Sequence, residues 1–191
     1  MSIPAATVLV WYVAGRFSSE IQIGCLAYAV SLVGLYTAST LSHLFHDLHW
    51  RRFYRTVDQA LIFTLIAGSF TPWAVLYLKE GWWTWLLPGM WLAAALGVVF
   101  SFRTREFRPP VKIGMYVLFG WIPATSLWVV FAEAPRVSLD WLIAGGVCYT
   151  LGTIFLLNDH RMKYLHAVWH LFVIAGSACH YVAIMTMLDA V

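Results

Sequence analysis

Charge is scarce in this chain. Of 191 residues, 11% are charged and 61% are hydrophobic, against about 25% charged in an ordinary globular protein. So few ionic groups cannot cover a water-exposed surface, so the chain is expected to be an integral membrane protein. Twelve Lys and Arg against nine Asp and Glu give a formal net charge of +3. The basic residues flank apolar runs and form no continuous stripe, which argues against nucleic acid as a partner. Cysteine is sparse as well. Cys25, Cys148 and Cys179 lie in apolar segments without CxxC or zinc-finger spacing, and read as small packing residues. Tandem repeats, low-complexity tracts and long soluble insertions are missing, so one compact membrane domain over residues 1–191 is expected.

What the chain has in abundance is apolar runs. Seven candidate spans fall at roughly 2–15, 21–45, 58–78, 82–101, 111–131, 139–157 and 165–188, most near the ~20 residues that cross a bilayer as a helix. The expected fold is therefore all-α, a seven-transmembrane-helix bundle. The first span is short and reads as a truncated or misassigned start; no positive segment precedes Val8–Val13, which argues against a cleaved signal peptide. Pro72, Pro88 and Pro123 fall inside spans and are expected to kink them. Gly145, Gly146 and Gly152 are expected to let the sixth span approach a neighbour, and Trp82, Trp83 and Trp85 to form an interfacial belt.

Loop charge orients the spans. Arg51, Arg52 and Arg55 follow the second span; Arg103, Arg105, Arg108 and Lys112 follow the fourth; Arg161 and Lys163 follow the sixth. These are nine of the twelve basic residues, whereas Arg16, Lys79 and Arg136 stand singly on the alternate loops. The positive-inside rule puts the amino terminus in the cytoplasm and the carboxyl terminus outside, in a multi-pass cell-membrane protein.

Polar side chains are costly inside lipid, so histidines in an apolar span ask for a reason. His166 and His170 are four residues apart, on one helix face about one turn from each other, close enough to grip one metal ion. The natural third ligand is His43, expected at the same cytoplasmic depth. Asp58 lies near that face too, and Ser39 sits one turn from His43 on the same helix face. Zinc suits this set: three neutral imidazoles leave one tetrahedral position open, and bound water then has a pKa lowered toward ~7. Asp58 can accept or orient the water's proton, or simply cap the third span; Ser39 can donate to a developing oxyanion or bond back to its own helix. His180 lies ~15 Å along the axis from His170, outside ligand reach, in a packing or cavity-lining role. His46, His49 and His160 read as solvated loop residues, near Asp47 and Asp159. Haem between His43 and His170 would leave His166 unexplained.

These residues carry a family resemblance. Ser39-x-x-x-His43, then Asp58 followed by Ile66-Ala67-Gly68-Ser69-Phe70-Thr71-Pro72, then His166-x-x-x-His170 with His180 ten residues on, resemble the hemolysin III proteins. Those belong with the progestin and adipoQ receptors and, more distantly, the alkaline ceramidases. The resemblance covers the chain from about Cys25 onward. It implies a seven-helix membrane fold, a zinc ion on His43, His166 and His170, Asp58 engaged through zinc-bound water with Ser39 beside it, and an intracellular amino terminus. For activity it implies two readings: a zinc-dependent hydrolase of a lipid amide or ester, or a non-enzymatic receptor-like or membrane-homeostasis protein with structural zinc. Haemolysis by pore formation ranks behind both. A membrane lipid is the expected substrate.

Overall fold

A computed structural model describes residues 2–103, 109–162 and 164–191; Arg105, Arg108 and Lys163 of the charged loops lie outside them. Every regular element among the described residues is helical. In order they are α1 (Ser2–Val13), α2 (Ser19–Leu44), α3 (Leu48–Tyr77), a 3-10 turn (Gly81–Trp85), α4 (Leu86–Arg103), α5 (Pro109–Trp121), a second 3-10 turn (Ile122–Ser126), α6 (Leu127–Glu133), α7 (Arg136–Leu157) and α8 (Leu165–Leu188). Six stretches among the described residues are long and apolar enough to cross a membrane: Ser19–Leu44, Leu48–Tyr77, Gly81–Arg103, Pro110–Glu133, Arg136–Leu157 and Leu165–Leu188. α1, with 12 residues, reaches only about 18 Å, short of a ~30 Å hydrocarbon core.

Three boundaries differ from expectation. The third span begins at Leu48, ten residues before Asp58, so Arg51, Arg52 and Arg55 ride on helix. Arginine is a good helix former, and Asp47 caps the start: its carboxylate accepts from the backbone N–H groups of His49, at 2.8 Å, and Trp50, at 3.1 Å. Asp58 is therefore interior to α3 and not its cap. The fifth span is broken by the 3-10 turn at Ile122–Ser126, with Pro123 near its start. Pro88, by contrast, stands in the first turn of α4, where a missing N–H removes no helical hydrogen bond. Pro72 is interior to α3.

The helices gather into two compact units, Met1–Glu106 and Phe107–Val191. In the first, α2 and α3 form an antiparallel hairpin across the short Phe45–Asp47 turn. Small residues set its register. A Cβ on Gly68 would collide with the Ser31 hydroxyl, and one on Gly24 would meet Val75 at 2.9 Å and the Pro72 backbone at 3.3 Å. α4 lies along α3, where Gly97 receives the Phe63 ring and Trp91 Nε1 donates to Thr71 Oγ1 at 3.1 Å. In lipid the apolar environment gives helices little reason to associate, so close backbone approach and interhelical hydrogen bonds carry the packing.

In the second unit α7 and α8 form the corresponding pair. Gly152 faces Phe172 and Trp169, Gly176 faces the Tyr149 ring, and Gly145 faces His180; Gly146, expected at the seam, has nothing within 4 Å. Phe155 stacks on Phe172 with centroids 5.1 Å apart, and the Tyr149 hydroxyl meets Ser177 Oγ at 2.8 Å. Trp121 of α5 donates to Thr150 Oγ1 of α7 at 3.2 Å. Large apolar side chains such as Leu92, Leu96, Leu118 and Leu171 are exposed, as lipid-facing residues should be.

Candidate functional site

The α2–α3 hairpin register decides what the first unit contributes. With Ser31 opposite Gly68, the last turns of α2 run beside the segment of α3 around Asp58. Ser39 and Asp58 are brought together: the Ser39 side chain hydrogen-bonds the Asp58 carboxylate, with the Arg55 guanidinium acting on the same group. Both Ser39 and Asp58 are half-buried. His43, one turn beyond Ser39 on α2, is exposed near the helix end. A serine hydroxyl has a single hydrogen to give. Directed at Asp58, it orients the carboxylate.

The second unit contributes an imidazole pair. His166 and His170 pack edge to face at the start of α8, ring centroids 4.7 Å apart at 85°, and both are half-buried. His166 has a partner that sequence reasoning assigned to a solvated loop: Asp159 Oδ2 lies 3.2 Å from its Nδ1. A neutral imidazole donating from Nδ1 keeps its lone pair on Nε2. This carboxylate–histidine arrangement is the one that fixes tautomer and ring direction in metal-ligating histidines. Asp159 stands seven residues before His166, across the turn between α7 and α8; a carboxylate just before a histidine-bearing helix was the available signal.

His180 takes no part in this pair. Its ring nests on Gly145 and meets the Tyr149 ring edge-on at 5.3 Å, a packing contact between α7 and α8. His49 lies in the first turn of α3, and His46 and His160 lie outside the helices.

A chain with few charges whose described residues form six helices long and apolar enough to cross a membrane is a multi-pass membrane protein. Comparison with known sequences sharpens the class. The haemolysin-III-related family matches residues 1–181, so the chain belongs to that family. It is 30% identical to hemolysin-3 of Bacillus cereus, over 97% of this chain and 84% of the relative. It is 34% identical to the human monocyte to macrophage differentiation factor, over 82% of this chain and 67% of the relative. The Drosophila melanogaster adiponectin receptor protein is 27% identical over 92% of this chain and 46% of its own length. These relatives set the chain within the progestin and adipoQ receptor family. No solved structure matches.

Proposed function

We propose that this protein is a zinc-dependent hydrolase of a membrane-lipid amide or ester, with His43, His166 and His170 as metal ligands and Asp58 as proton acceptor. The observation that carries the proposal is the Ser39–Asp58 hydrogen bond one turn from His43. A carboxylate positioned by a dedicated hydroxyl inside an apolar helix pair has no evident packing purpose, and intramembrane ionisable groups are expected to be functional. The donor set fits zinc: the three histidines are of the kind that can hold a metal ion, and Asp159 steadies one of them from Nδ1.

When bound, zinc supplies Lewis acidity that polarises a carbonyl and acidifies water. The chain's own residues do the rest. Asp58 accepts the proton of an attacking water and returns it to the leaving amine or alcohol. Ser39 holds the carboxylate in one orientation through that exchange. Apolar helix surfaces admit a lipid directly from the bilayer.

The seven-helix topology and its orientation are part of the proposal, with the amino terminus cytoplasmic. α3 supports it: 30 residues make about 45 Å of helix, longer than a ~30 Å hydrocarbon core, so its first turns with Arg51, Arg52 and Arg55 can stand in the basic-side headgroups.

The test is fatty-acid release from a panel of ceramide-like amides and ester lipids by detergent-purified protein. Asp58→Asn is expected to lower turnover by roughly 100-fold or more and Ser39→Ala by less. Zinc-replete, folded protein that releases no fatty acid from any lipid would move the structural-zinc, receptor-like reading to first place.

A further inference from the structure

The seam between α7 and α8 holds a second chemical feature. Gly145 and Gly176 let the two backbones come close: a Cβ built on Gly145 would lie 3.1 Å from the Gly176 carbonyl oxygen. Gly145 faces His180 and Gly176 faces the Tyr149 ring, so in this antiparallel pair Cys148, next to Tyr149, and Cys179, next to His180, fall at nearly one level of the seam. Neighbouring contacts fix their level. Tyr149, next to Cys148, meets Ser177 at 2.8 Å and His180 at 5.3 Å between ring centroids, and Cys179 lies between those two partners. The Cys148 and Cys179 side chains interact directly, thiol to thiol. Both are free and half-exposed, whereas Cys25, the remaining thiol, is fully buried.

Disulfides need Cα atoms roughly 4.4–6.8 Å apart, a spacing that helix pairs reach only where small residues thin the interface. We propose that Cys148 and Cys179 are a dithiol site on the lipid-facing flank of the α7–α8 seam, closed into an intramolecular disulfide by a small apolar disulfide oxidant. One cysteine, as thiolate, attacks the reagent's S–S bond, giving a mixed disulfide and releasing one reagent thiol. The second cysteine attacks the protein sulfur of that mixed disulfide and displaces the other reagent thiol. Two protein thiols are oxidised, one reagent disulfide is reduced to two thiols, and the protons pass to the leaving thiolates. The closed bridge ties α7 to the helix that carries His166 and His170.

The experiment uses full-length protein in detergent with one molar equivalent of 4,4′-dithiodipyridine, reading thiopyridone absorbance and intact mass. Wild type is expected to release two thiopyridones per reagent consumed, to lose the mass of two hydrogens, and to yield a peptide linking Cys148 with Cys179. Cys148→Ser and Cys179→Ser are each expected to release one thiopyridone and keep the pyridyl adduct on the surviving thiol. Wild-type protein that retains the adduct, or consumes no reagent, overturns the proposal.

Discussion

The α2–α3 hairpin and the α7–α8 pair use the same packing device and put it to different ends. In each, glycines and serines let two long helices touch backbone to side chain. The first pair is the more enclosed: within an apolar 18-residue stretch of each helix, 50% of α2 and 61% of α3 are buried, against 22% for α7 and 39% for α8. The enclosed pair holds the carboxylate and its hydroxyl, and the open pair holds the two imidazoles at its end. A carboxylate in lipid needs shelter and a donor, which a dense hairpin provides. Imidazoles tolerate a looser setting and need only a partner to fix the ring, which Asp159 provides.

Breaking the tighter seam should have the largest effect. Gly68→Leu places side-chain atoms on Ser31 and the Ala27 carbonyl, and overpacking of this kind costs about 1–3 kcal/mol or more. We expect little folded Gly68→Leu protein by size-exclusion profile and thermal unfolding, while Gly146→Ala, with open space around it, unfolds as wild type does. Equal behaviour of the two would mean that small residues do not set the α2–α3 register.

The partner that steadies the imidazole pair should matter next. Asp159→Asn keeps the size of the side chain but weakens acceptance from His166 Nδ1, and loss of such a partner typically costs 10–100-fold in metal affinity. Competition with a zinc chelator of known affinity reads this directly. Affinity unchanged by the substitution would return Asp159 to the solvated loop.

The smallest effect is expected at the Trp91–Thr71 hydrogen bond between α4 and α3, 3.1 Å long. Thr71→Val removes the acceptor at similar shape and should cost about 0.5–1.5 kcal/mol, seen as a modest fall in unfolding temperature. A loss as large as that of Gly68→Leu would make polar contacts, and not close approach, the main tie of the first unit.

Much of this architecture was legible because lipid imposes a length. Runs of about twenty apolar residues have few alternatives to a helix, and the six long spans follow from them. The start of α3 was not legible: three arginines within five residues resemble a loop, yet Asp47 caps a helix that runs through them. The break at Ile122–Ser126 was signalled by Pro123, though the extent of the 3-10 turn was not. At the candidate site, Ser39, His43, Asp58, His166 and His170 stood out as polar residues in apolar runs. Their pairings did not, because the Ser39–Asp58 bond depends on hairpin register. Asp159 was hidden for another reason, since a carboxylate in a turn ordinarily faces water.

Metal content tests the central claim most directly. Elemental analysis of detergent-purified wild type should give one equivalent of zinc per chain, lost in each of His43→Ala, His166→Ala and His170→Ala while the helical circular-dichroism signal persists. A folded wild type that holds no zinc, or a His43→Ala variant that keeps its full equivalent, would contradict the three-histidine site.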